Sequence, residues 1–133
     1  EAGSSAGEAQ PEVNSRLAAL RWPLDAVVLG MGNDGHTASL FPGSASLDAA
    51  LAGRDSGGNA SRCCAVTPRD APHERMTLTL PAILDSRALF LHIRGAEKRR
   101  VLDQALQSGP VADLPVRAVL HSEQTVHIFS SDD

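Results

Sequence analysis

The chain has 133 residues, of which 42% are hydrophobic and only 3% aromatic, and carries a formal net charge of −4 at pH 7. That length supports one domain with a real core, and the shortage of rings makes the core aliphatic. Acids and bases are interspersed without a basic stripe or an aromatic platform, which argues against nucleic-acid binding. No apolar run approaches the roughly 20 residues that span a bilayer, and no secretory leader is expected.

Residues 1–11 are small and polar and are expected to be flexible; residues 12–133 read as one α/β unit. Val13, Leu17 and Leu20 recur at i, i+4 and i+7, predicting an amphipathic helix that ends near Trp22-Pro23. The apolar run 25–29 predicts a strand covered on both faces, followed by a glycine-rich loop. Ser46 is placed to cap a short helix over Leu47–Leu51, and 53–59 has loop composition. Cys63–Thr67 suits a short strand. Met76–Leu84 leaves two alternatives open, because Thr77 and Thr79 favour strand while Pro81 suits the start of a helix. Ala88–Ile93 is a clear strand punctuated by Gly95. Glu97–Gln107 reads as a helix with Val101, Leu102, Ala105 and Leu106 on one face. A short segment, 111–120, leads to a last strand at Thr125–Phe129. Strands alternating with helices imply a mainly parallel α/β sheet flanked by helices.

The only cysteines, Cys63 and Cys64, are adjacent. Sequence neighbours rarely bridge and two thiols cannot complete a zinc site, so a reduced pair is expected, as in a cytoplasmic protein. Asn59-Ala60-Ser61 matches a glycosylation pattern, which without a leader reads as coincidence. The five histidines show no metal-ligand spacing.

Chemistry concentrates in Gly30-Met31-Gly32-Asn33-Asp34-Gly35-His36-Thr37-Ala38-Ser39-Leu40-Phe41-Pro42-Gly43. In an open α/β sheet, ligands bind where such a loop leaves a strand. Glycines there let the backbone approach an oxygen-rich ligand and aim N–H groups at it, so the N–H groups from Gly32 to Gly35 are candidates for stabilising an oxyanion. His36 can exchange a proton near neutral pH and can serve as general base and then general acid. Asp34, two residues earlier, either orients that imidazole or shapes the turn. Lys98, the one lysine beside eleven arginines, falls in the first turn of the helix after Gly95. A helix N-terminus seats phosphate, and a base in that turn is unfavourable unless an anion binds.

Gly30-x-Gly32-x-x-Gly35 also matches the dinucleotide-binding fingerprint, with Asp55 twenty residues beyond Gly35. The context fails, because Pro42-Gly43 interrupts the long helix the fingerprint requires and Asp55 sits in a loop.

The loop resembles the signature of the 6-phosphogluconolactonase family. Arg75-Met76-Thr77-Leu78-Thr79-Leu80-Pro81 and Gly95-Ala96-Glu97-Lys98 resemble two further family segments in the same order, so the resemblance covers roughly residues 13–133. It implies a Rossmann-like fold akin to that of glucosamine-6-phosphate deaminase. It further implies hydrolysis of 6-phosphoglucono-1,5-lactone to 6-phosphogluconate in the oxidative pentose phosphate pathway, without metal or organic cofactor. His36 matches the catalytic histidine, with Asp34 beside it, and Lys98 and Arg75 match phosphate-binding positions; Gly32 and Gly35, from the backbone reading above, are the expected substrate-binding glycines. Family members are about twice as long and carry an early Gly-Gly-x-Thr/Ser-Pro loop and a Ser-Asn segment that are absent here. The chain is therefore expected to be a C-terminal half, with the N-terminal half as its partner.

Two other functions are weighed against this. The deaminase continues its Gly-x-Gly-x-Asp-Gly-His motif so that a catalytic Glu falls at Phe41, and a phenyl group transfers no proton. A non-catalytic sugar-phosphate sensor needs only the phosphate grip, and the presence of His36 and Asp34 argues against it.

Overall fold

A computed structural model of the chain describes residues 5–70 and 73–132. In chain order the elements are α1 (Ala6–Ala18), β1 (Val27–Leu29), α2 (Leu47–Leu51), β2 (Cys63–Val66), β3 (Arg75–Leu78), α3 (Leu80–Leu84), β4 (Leu89–Arg94), α4 (Ala96–Leu106), α5 (Arg117–Leu120) and β5 (Val126–Ser131).

Helix α1 starts seven residues ahead of Val13, so 6–11 is helical rather than flexible; residues 1–4 of the expected flexible segment lie outside the described residues. The cause is local. Ser5 Oγ accepts from the Glu8 N–H at 3.1 Å and Glu8 Oε2 accepts from the Ser5 N–H at 3.2 Å, a reciprocal cap. Glu74 accepts from the N–H groups of Ala6 and Gly7 at 2.8 and 3.3 Å, occupying donors that a helix start leaves free. Pro11 cannot donate to the Gly7 carbonyl, and Gln10 Nε2 donates to it instead at 3.2 Å.

Strands β1, β4 and β5 form a parallel sheet in the order β1-β4-β5. Its buried side chains, Val27, Leu29, Leu89, Leu91 and Ile93, share one face and meet Leu102 and Ala105 of α4 and Val116 and Val119 beside or within α5. Burying each of the large aliphatics there contributes about 1.5–3 kcal/mol. Arg117 of α5 and His121 just beyond it finish the C-terminal end of α4: Arg117 Nη2 donates to the Gln104 carbonyl at 3.1 Å and His121 Nε2 to that of Ala105 at 2.8 Å.

The opposite face is open. Val28 is 70% exposed and Phe129 57%. Phe90 touches His127 and Phe129 with ring centroids 5.4 and 6.0 Å apart. The expectation that the first strand is covered on both sides holds for one side only, because Val28 points to the open face and stays 70% exposed while Val27 and Leu29 are buried.

Strands β2 and β3 form a separate antiparallel pair, Cys63 opposite Leu78 and Val66 opposite Arg75, onto which α1 packs. Both cysteines are free and buried. Burial, helped by nearby Asp55 and Cys63, pushes the Cys64 thiol up to about 11, so it stays protonated. The two readings of 76–84 prove successive: β3 ends at Leu78, and Thr79 in extended conformation begins α3, with Pro81 in its first turn. No helix among the described residues is long and apolar enough to cross a membrane.

Candidate active site

The loop leaving β1 and the turn leaving β4 are brought side by side because these strands are parallel neighbours, Leu29 opposite Leu91. Their exits form one open cleft of about 360 Å³, lined by Gly30, Met31, Gly32, His36, Ala38 and Lys98. Two residues more than sixty positions apart in sequence thus face the same space.

Within the loop, Asp34 Oδ1 lies 2.5 Å from His36 Nδ1 and accepts the His36 backbone N–H at 3.0 Å. Asp34 thus both shapes the turn and contacts the imidazole. Burial works to raise the Asp34 pKa, but the backbone and ring hydrogen bonds from His36, with the attraction of the imidazole, outweigh it and leave the carboxyl below its ordinary value. An ionised carboxylate accepts only, so Nδ1 carries the proton and Nε2 is left as the basic nitrogen.

Glycine is required at 32 and 35 for different reasons. A Cβ on Gly32 would overlap His36 Cε1 and Nδ1, so the imidazole lies against bare backbone. Gly35 has φ +82° and a Cβ there would sit 2.5 Å from Leu114 Cδ2; its carbonyl accepts the Val116 N–H at 2.9 Å. The expectation that these glycines aim N–H groups at a substrate is not met. Gly32 N–H donates to the His36 carbonyl at 2.9 Å, and Gly35 N–H to that of Gly32 at 3.0 Å. Gly32 lines the cleft, whereas Gly35 is buried beneath it. The local turn consumes donors that sequence reasoning treated as free.

Ala38 is the one non-glycine residue with positive φ among the described residues, at 50°, a conformation that costs an L-residue roughly 1–2 kcal/mol. It is held from both sides: Thr37 Oγ1 donates to the Gly30 carbonyl at 2.7 Å and the Ser39 N–H donates to Thr77 Oγ1 at 3.1 Å. The threonine of the Arg-Met-Thr segment therefore anchors the loop.

Lys98 occupies the third position of α4, after Gly95 at φ +101°, and has no hydrogen-bond or ion-pair partner among the described residues. Its neighbour Arg99 turns away, donating to Ser130 Oγ at 2.9 Å. Arg75 does not line the cleft. Its guanidinium carbon lies 5.7 Å over the Phe41 ring, and that ring lies 4.6 Å from the imidazole, centroid to centroid. Sequence reasoning used Phe41 only to exclude a proton-transferring Glu and missed this contact. The dinucleotide reading stays excluded: the helix after the loop is the five-residue α2, and Asp55 accepts the N–H groups of Gly57 and Asn59 in its own turn. Among the described residues, no cluster of His, Cys, Asp and Glu could hold a metal ion.

Fold and site together define an α/β protein with a histidine–carboxylate pair beside an unpaired lysine at adjacent strand ends. Residues 1–128 match the family described as glucosamine-6-phosphate isomerases/6-phosphogluconolactonase, and the chain belongs to that family. It is 42% identical over 120 residues to a 6-phosphogluconolactonase of Rhizobium meliloti, covering 90% of this chain and 50% of that protein. It is 46% identical over 109 residues to one from Neisseria meningitidis, covering 81% and 45%. The crystal structure of a 6-phosphogluconolactonase from Shewanella baltica superposes with a TM-score of 0.88 at 44% identity, over 98% of this chain and 54% of that one. The chain spans about half the length of the curated relatives it matches.

Proposed function

We propose that this chain is the C-terminal half of a 6-phosphogluconolactonase and carries the proton-transferring part of its site. The observation that carries the reading is the His36–Asp34 pair sharing one cleft with unpartnered Lys98. Nε2 of His36 takes a proton from water as the water oxygen bonds to the lactone carbonyl carbon. The tetrahedral intermediate then collapses, the bond from that carbon to the ring oxygen breaks, and the same proton returns from Nε2 to the departing oxygen. Asp34 keeps the proton on Nδ1 throughout. Lys98 binds the 6-phosphate, for which a helix N-terminus is suited, and Arg75, held over the Phe41 ring outside the cleft lining, is the second phosphate-binding cation. Phe41 places no proton-transferring group beside His36, which favours lactone hydrolysis over deamination and isomerisation. The N-terminal half completes the site as the partner, in keeping with relatives twice this length.

The test is lactone hydrolysis above the spontaneous rate, measured for the 133-residue chain alone and after mixing with the N-terminal half. Turnover in either arm that falls at least about 100-fold in His36→Ala supports the reading. In the active preparation Lys98→Ala raises KM for the phosphorylated lactone and leaves an unphosphorylated one unaffected. Phosphogluconate binding without turnover in both arms identifies a sensor instead.

A further inference from the structure

We propose that Phe41 is a positioning residue: its ring seats the His36 imidazole against Asp34 and couples that seat to Arg75. The inference rests on the lactonase reading above. The hydrogen bond from Nδ1 to Asp34 fixes one corner of the imidazole and leaves the ring free to pivot about it. Backbone at Gly32 bounds one edge of that pivot, since even a Cβ there would overlap Cε1. The phenyl ring bounds it again, 4.6 Å away and tilted by 43°, within the geometry that aromatic pairs favour. Phe41 also has no polar side-chain atom, so it restrains the ring without competing for Nε2.

The phenyl ring is itself fixed. It is half-buried against the core cluster, and the backbone that carries it is held where the Phe41 main-chain carbonyl accepts the Ser44 N–H at 3.3 Å. The Arg75 guanidinium lies 5.7 Å over it, a cation–π arrangement. Strand β3 therefore grips the loop twice, through Thr77 to Ser39 and through Arg75 to Phe41. The second grip puts an anion-compatible cation and the basic imidazole on one rigid ring, so the ring sets both turnover and affinity for the phosphate end.

The experiment compares Phe41→Leu and the unbranched, equally ringless Phe41→Met with Phe41→Tyr, which retains the ring. Expected in lactone hydrolysis is a kcat roughly ten- to a hundredfold lower for Leu and Met, a KM raised for the phosphorylated substrate only, and recovery of most of both parameters in Tyr. Imidazole ¹⁵N spectra of the 133-residue chain supply a readout independent of turnover. His36 shows a single tautomer protonated at Nδ1 in the parent and in Phe41→Tyr, and averaged tautomers in Leu and Met. Unchanged kcat and tautomer in folded Leu and Met variants, or a Tyr variant as impaired as Leu, overturns the proposal. If the parent chain proves to be a sensor, the lactonase reading fails on its own, while the nitrogen spectra still decide whether Phe41 holds the imidazole.

Discussion

A carboxylate two residues before a histidine can close a turn or meet the side chain, and Asp34 does both with one oxygen. Because its folded pKa lies below the ordinary value of 3.8, the pair is intact at any pH above the usual carboxylate range. Its stabilisation is lost as pH falls through the lower folded value. A ¹³C titration of the Asp34 carboxyl therefore gives a midpoint below 3.8, moving upward in His36→Ala, and a midpoint at or above 3.8 in the parent contradicts the geometry. This much of the site was legible, since a Gly-Asp-Gly-His turn is assembled by residues two to four apart. What was not legible depends on segments distant in sequence: Leu114 beneath Gly35, Thr77 under Ser39, and Arg75 over Phe41. Free N–H groups at Gly32 and Gly35 were misjudged for a related reason, because sequence shows that a backbone donor exists but not which carbonyl faces it.

At the scale of elements, periodicity located the parallel strands and α4, whose apolar positions are set by their own neighbours. It found α1 but not its ends: the helix stops at Ala18 rather than near Trp22-Pro23, and its cap lies upstream of the first large apolar residue, where Glu74 completes it from another segment. The stretch 76–84 seemed contradictory because it holds two elements joined at Thr79. Strand β3 also has a role that its length conceals, for Thr77 Oγ1 is the acceptor that ties the loop around strained Ala38 to the second sheet. Thr77→Val keeps the strand shape and β-branching but removes that acceptor. Denaturant unfolding is expected to show a loss of about 1–2 kcal/mol, and amide exchange at Ser39 to quicken while that of β4 does not. Unchanged exchange at Ser39 removes the anchoring role.

For the whole molecule, the aliphatic composition implied the aliphatic core that packs against one face of the parallel sheet, and the continuous apolar run 25–29 implied a second covering layer, although Val28 stands 70% exposed among the described residues. Val28 and Phe129 stand exposed on the sheet's other face beside half-buried Phe90, and exposed apolar strips of this kind favour association. Sedimentation of the chain is expected to show concentration-dependent self-association that falls in a Val28→Thr, Phe129→Ser double variant. The unfolding free energy of that variant changes little, since substitutions at mostly exposed positions typically stay within about 0.5 kcal/mol each. Equal association by parent and variant places the contact elsewhere. The open strip also makes stability an extensive matter of solution composition. Any species that seats on it and not on the unfolded chain shifts the folding equilibrium by mass action, about 2.7 kcal/mol at a free concentration 100 times its Kd. Thermal midpoints of these 133 residues therefore rise with the free concentration of any species that seats on the strip, and comparisons of variants require that concentration to be held constant.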